Sequence, residues 1–224
     1  MGGDRRGGYV SRAGLKLEAA LGGFGLDVTG LCCADFGCHV GGFTDCLLQH
    51  GAARVYAVDT GYGVLDYRLR TDQRVVVMER TNALHCPGPG TVDLVTIDVG
   101  WTCQRLVIPA ALRWLRWPGV PGVPGGRIVT LVKPHYELDP SARRSLLKDG
   151  VLAHTEARKV AKRVVEGFEA LGARVLAMMI SPLGGAKSAR RSGGEGNREY
   201  LVLARRTLCA EPAEERGDPS PRVQ

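Results

Sequence analysis

Short apolar runs alternate with amphipathic stretches along most of the chain. Runs at 31–36, 54–59, 74–78, 93–98, 127–132, 173–180 and 200–204 have strand length and are bounded by turn-forming residues. Helical spacing falls between them. Residues 11–21 carry Leu15, Leu17, Ala20 and Leu21, with Ser11 as N-cap and the glycines at 22, 23 and 25 as the stop. Residues 43–50 form a second helix, stopped by Gly51, and 64–69 a short third. Residues 102–116 form another. The clearest stripe is Val160, Val164, Phe168 and Leu171 over 156–171. Residues 138–153 show no clear period. Strands alternating with helices predict an α/β fold, a parallel sheet covered on both faces. No helix separates 173–180 from 200–204, so the last strand enters antiparallel. No internal repeat is present.

Domain organisation follows from the ends of this pattern. Residues 1–8, rich in Gly and Arg, read as a mobile basic N-terminus. Residues 9–207 form one domain, and 208–224, rich in Pro, Glu and Arg, read as a disordered tail. Lys plus Arg outnumber Asp plus Glu by 30 to 23, a net charge of +7 that permits a nucleic-acid partner. The seven cysteines are odd in number and scattered, and no C-x-x-C pair occurs. That usage fits a reduced cytoplasm and supplies no metal-ligand spacing, so no metal is expected. No run reaches the ~18 apolar residues that span a bilayer, so no membrane role is expected either.

The chemistry starts at residues 35–45, DFGCHVGGFTD. Asp35 and Phe36 end a strand, Gly37, Gly41 and Gly42 form a loop, and Phe43 opens a helix. Glycines there let backbone approach a ligand and a helix pack on a strand. The spacing is not the dinucleotide G-x-G-x-x-G, and an acid in that place repels a pyrophosphate. It suits a cationic ligand, and S-adenosylmethionine is one. Asp59 and Asp98 also end strands. Asp59 stands where an acid accepts hydrogen bonds from ribose hydroxyls. Asn82 follows the third strand and is placed to meet an adenine.

Several motifs in order carry a family resemblance. YVSRAGLKLEAAL (9–21), DFGCHVGGFTDCLLQHGA (35–52), VYAVDTGYGVLDYRLR (55–70), ERTNA (79–83), IDVGW (97–101), LVKPHYE (131–137) and NREYLVLARR (197–206) resemble the TlyA branch of the FtsJ-like RNA methyltransferases. The resemblance implies a class I methyltransferase fold: a mostly parallel seven-stranded sheet, an antiparallel last strand and helices on both faces. It further implies S-adenosylmethionine and methylation of a ribose 2′-hydroxyl, in this branch on ribosomal RNA or a ribosomal subunit. The family's Lys-Asp-Lys-Glu tetrad falls on Lys16, Asp98, Lys133 and Glu199. Three departures stand out. Only eight residues precede Tyr9, where this branch usually carries a small RNA-binding domain. ARRSGGE (189–195) lengthens the loop before Glu199. Cys38-His39 fills normally small positions, and Gly100-Trp101 replaces a Ser-Phe pair.

Methyl transfer to a hydroxyl needs alignment and a more nucleophilic oxygen. Lys133, at the end of an apolar strand, acts as a neutral base if burial and the nearby Lys16 lower its pKa. Asp98 then positions it, and Glu199 orients one of the lysines. Alternatively both lysines stay charged and stabilise a developing alkoxide. His135 is a rival base, ranked lower because it lies beyond the strand end. On the acceptor side, Arg5, Arg6, Arg12, Lys187, Arg190, Arg191 and Arg198 form the candidate RNA-binding set. Tyr9, Tyr62 and Trp101 are candidates to stack on a flipped base. The competing readings are a methyltransferase for a small non-RNA acceptor and a non-catalytic RNA-binding ribosome-assembly factor.

Overall fold

A computed structural model describes residues 8–89, 91–117, 125–185 and 196–207. Seven strands make the main sheet: β1 (Cys32–Phe36), β2 (Arg54–Val58), β3 (Val75–Met78), β4 (Leu94–Ile97), β5 (Arg127–Val132), β8 (Ala173–Ile180) and β9 (Tyr200–Arg206). Their order is β3-β2-β1-β4-β5-β9-β8. β9 runs antiparallel between β5 and β8, and the other pairings run parallel. This is the class I methyltransferase arrangement expected from the sequence. Every residue of β4 is buried and β1 is buried from Cys33 onward, as strands covered on both faces require.

The helices form two layers. α1 (Ala13–Phe24), α2 (Gly42–Gln49) and the short α3 (Tyr67–Arg70) cover one face. Leu17 and Leu21 of α1 join Phe43 and Leu47 of α2 in a core that also takes Leu65 and Leu69. α4 (Gln104–Trp114) and α7 (His154–Glu166) cover the other face through Val107, Ile108, Ala111, Val160 and Ala161. Trp114 anchors that side, its ring edge-on to Phe36 at 5.1 Å and to Tyr56 at 5.9 Å.

Three boundaries differ from expectation. α1 runs through Gly22 and Gly23 and ends at Gly25, whose φ of 61° closes the helix with left-handed backbone. Gly23 stays helical, and its bare α-carbon admits the Met179 side chain of β8. Arg12, not Ser11, occupies the N-cap, while the Ser11 hydroxyl accepts the Ala13 N–H at 3.3 Å. The stretch predicted as one helix over 156–171 breaks at Gly167, and a 3₁₀ turn, Glu169–Leu171, follows. Residues 138–153, which gave no period, hold α6 (Pro140–Leu146) and a hairpin of β6 (Leu147–Lys148) and β7 (Val151–Leu152). α5 (Pro134–Glu137) joins β5 to this insertion. Among the described residues no helix is long and apolar enough to cross a membrane.

Candidate active site

The strands β1, β2, β4 and β5 end at one edge of the sheet, and a cavity of about 930 Å³ opens there. Lys16 from α1 and Glu199 just before β9 complete its wall. A cavity at the carboxyl ends of parallel strands is where α/β folds bind ligands.

The glycine loop forms the floor. Gly37 has φ 83°, and a side chain there would meet the backbone of Asp98 at 2.9 Å, so glycine lets β1 and β4 close up. Gly41 has φ 102° and lies against Leu65 and Leu69. It serves that packing and does not line the cavity, whereas Gly37, Gly42 and Phe43 do. Phe36 also departs from its expected cofactor role. Its ring is fully buried against Trp114, because inward-facing strand positions feed the core.

Asp35 is 0 % exposed and points under the loop. Its Oδ2 accepts the Thr44 N–H at 2.9 Å and the Thr44 hydroxyl at 2.7 Å, and its Oδ1 accepts the Thr96 hydroxyl at 3.2 Å. The acid therefore clamps the first turn of α2 to β1 and β4. Burial, opposed by the Thr44 bonds and reinforced by the nearby Asp98 charge, pushes its carboxyl up to about 7. Asp59 accepts His39 N–H at 2.9 Å and Gly61 N–H at 2.7 Å, one on each oxygen. His39 itself takes the left-handed turn (φ 48°), and Cys38 packs into the core below, its thiol pushed up by burial. Asn82 borders the cavity while its Oδ1 accepts the Leu84 N–H at 3.0 Å.

The four tetrad positions converge as two ion pairs. Lys133 Nζ lies 2.5 Å from Asp98 Oδ1 and donates to the Val99 carbonyl at 3.0 Å. Lys16 Nζ lies 2.5 Å from Glu199 Oε2, with side chains 9 % and 4 % exposed. This arrangement favours the reading in which Lys133 stays charged. Burial pulls its ammonium down, but Asp98, by charge and hydrogen bond, and Glu199 behind it outweigh burial and leave the pKa raised. Lys16 is matched by Glu199 and does not act as an unshielded cation against Lys133. His135 is a poor base here. Burial, then Lys133, Arg143 and Lys16, push its ring down to about 4.

The acceptor side is partly described. Arg12 is exposed at the cavity rim and donates to the Gly184 carbonyl at 3.1 Å. Arg198 is half-buried and does not line the cavity. Arg5, Arg6, Lys187, Arg190 and Arg191 lie outside the described residues. Tyr9 is removed from the stacking set: it is buried over Gly14 and donates to Glu18 at 3.0 Å. Tyr62 is exposed under the Arg80 guanidinium, 4.0 Å from its ring centre, away from the cavity lining. Trp101 is 72 % exposed, lines the cavity and tilts against Tyr136 at 4.8 Å. Its φ of 66° places a bulky residue in left-handed backbone.

Sequence reasoning missed several supports. Asn197 is buried, accepts the Leu152 N–H at 2.7 Å and donates to the Gly150 carbonyl at 2.8 Å. It ties the β6–β7 hairpin to the chain two residues before Glu199. Glu137 accepts the Gln104 N–H at the start of α4 at 2.9 Å, and Gln104 accepts the Thr130 hydroxyl at 2.8 Å. Only Thr44, in the first turn after the glycine loop, had a signal in its position. Among the described residues no group of His, Cys, Asp and Glu is arranged to hold a metal ion.

The family model of FtsJ-like methyltransferases matches residues 9–206. The Bacillus subtilis protein YqxC is 40% identical over 199 residues, covering 87% of this chain, and the chain spans 64% of that relative's length. The Mycobacterium tuberculosis protein named 16S/23S rRNA (cytidine-2′-O)-methyltransferase TlyA is 36% identical over 208 residues, 90% of this chain and 70% of its own. A solved structure from Streptococcus thermophilus superposes with a TM-score of 0.76 at 35% identity, covering 92% of this chain and 70% of that one.

Proposed function

The chain belongs to the FtsJ-like methyltransferase family, and from that premise we propose that it methylates a ribose 2′-hydroxyl of ribosomal RNA with S-adenosylmethionine. The observation that carries the reading is the meeting of the Lys133–Asp98 and Lys16–Glu199 pairs at the cavity wall beside the glycine loop. The name of the Mycobacterium relative supports ribosomal RNA and a cytidine acceptor.

The cavity fits the cofactor. Gly37 gives close backbone approach, and Asp59 offers carboxylate lone pairs beside the loop. S-adenosylmethionine, when bound, supplies an electrophilic methyl group on a cationic sulfur. The chain's own residues act on the acceptor. Lys133, kept protonated by Asp98, donates toward the 2′-oxygen and stabilises the charge that grows there as the hydroxyl proton passes to water at the open mouth of the cavity. Lys16, held by Glu199, adds a second cation at that edge. Holding both partners in line in a partly dry cleft contributes up to ~7–11 kcal/mol. Trp101, at the mouth, offers a face for the acceptor base.

Labelled S-adenosylmethionine is incubated with the protein and, in separate reactions, small ribosomal subunits, large subunits, naked ribosomal RNA and a small-metabolite extract. Label in ribosomal RNA from at least one of the first three supports the reading. Label confined to metabolites contradicts it.

A further inference from the structure

The acceptor half of the cavity contains a cation that the chemistry above leaves unused. Arg143, on α6, borders the cavity. Its Nη2 donates to the Tyr136 carbonyl at 2.7 Å, and its Nε is buried without a partner. No carboxylate among the described residues lies within ion-pair distance of it, although the charge of Glu137, committed to the Gln104 N–H, reaches it from behind. A half-buried guanidinium is ordinarily matched by an anion, because removing its hydration unpaired is costly. Lys16 and Lys133, by contrast, are each matched one to one.

His135 borders the same space. Neither of its ring nitrogens has a hydrogen-bond partner among the described residues, and Nδ1 is shut off from water. The charges of Lys133, Arg143 and Lys16 all reach this ring and help keep it neutral. Three cations thus surround one pocket wall. The Lys133–Asp98 and Lys16–Glu199 pairs cancel, which leaves Arg143 as the net positive charge of this wall, and Asp149 at the rim is exposed and screened by solvent.

Ribose chemistry states what such a wall is for. In RNA the 2′-oxygen and the 3′-phosphodiester sit on adjacent ring carbons. A strand that delivers its 2′-oxygen to Lys133 brings a phosphate charge with it. We propose that Arg143, with His135 beside it, binds the phosphodiester on the 3′ side of the acceptor ribose. The inference rests on the ribose-methylation reading and specifies its substrate: a nucleotide inside a strand, not a free nucleoside or a 3′ end.

The test uses the full chain saturated with S-adenosylhomocysteine and two probes of equal size. One is the dinucleotide CpC, and the other is CpC with an uncharged methylphosphonate linkage. Wild type binds CpC about tenfold tighter, the scale of one charge-assisted contact. Arg143→Gln shrinks the difference below about twofold, while Arg143→Lys restores part of it and controls for folding. Equal affinities in wild type, undetectable CpC binding, or full discrimination in Arg143→Gln each overturn the proposal. Methylation of ribosomal subunits is measured alongside. Methylated subunits without CpC discrimination sink this inference alone, whereas subunits that take no label sink the ribose reading beneath it.

Discussion

Trp101 shows how a single residue can be placed for use at a cost to stability. It is exposed and in left-handed backbone, a conformation that disfavours a non-glycine residue by ~1–2 kcal/mol. Trp101→Gly should therefore be more stable than Trp101→Ala by about 1 kcal/mol, measured by urea unfolding. Both variants should lose acceptor affinity on the scale of one stacked base, ~1–3 kcal/mol. Equal stabilities would show that the backbone there is unstrained. Asp35 behaves differently, because it is hidden. Its folded pKa near 7 lies above the ordinary carboxyl value, so the folded state holds the proton more tightly than the unfolded chain. Its contribution to stability is present below the unfolded pKa and is lost as pH rises through about 7. Asp35→Asn keeps a carbonyl for Thr44, and the Thr96 hydroxyl retains the Ala34 carbonyl at 3.3 Å. The stability of Asp35→Asn relative to wild type should rise between pH 5 and pH 8. A pH-independent difference would mean that the buried acid does not titrate in that window.

At the scale of elements, the hairpin β6–β7 matters most to the site, and its own short ladder is not what fixes it. Asn197 holds it at two backbone groups and stands two residues before Glu199. Asn197→Ala leaves the buried Leu152 N–H unpaired and returns the Gly150 carbonyl to solvent, a loss of roughly 1–3 kcal/mol. Methyl transfer should fall with it, while S-adenosylhomocysteine affinity stays within a few-fold, since the glycine loop lies elsewhere. A variant with unchanged turnover would remove Asn197 from the positioning of Glu199. The seven sheet strands were legible because each is a short apolar run between turn residues. The hairpin was not, because two-residue strands carry no period and its anchor lies 45 residues away in sequence. Gly22 and Gly23 misled for a related reason: both keep helical backbone, and α1 closes only at Gly25, where the backbone turns left-handed. The strand-end acids were visible as residues, but their partners were not. That Asp35 faces Thr44 and Thr96, and that Lys133 is charged, follow from burial and distance, which a linear pattern does not contain.

For the whole molecule, the net charge of +7 sets the terms of association with a polyanion. The basic residues Lys187, Arg190 and Arg191 lie in sequence between β8 and β9, outside the described residues. Neutralising all three should weaken binding to single-stranded ribosomal RNA. The slope of log affinity against log salt should become shallower by about 2, at ~0.7 per phosphate contact. An unchanged slope would take this segment off the RNA path. The central claim, however, concerns chemistry and not affinity: charged lysines, each fixed by its own carboxylate, methylate a ribose oxygen. A 2′-O-methyl group blocks alkaline cleavage of the bond beside it, and a base methyl does not. Ribosomal RNA labelled by the wild-type protein is therefore digested with alkali, with a Lys133→Ala reaction alongside. The account predicts label in alkali-resistant dinucleotides from wild type and none from Lys133→Ala, whose S-adenosylhomocysteine affinity stays within a few-fold. Label released as mononucleotides, or equal labelling by Lys133→Ala, would contradict it.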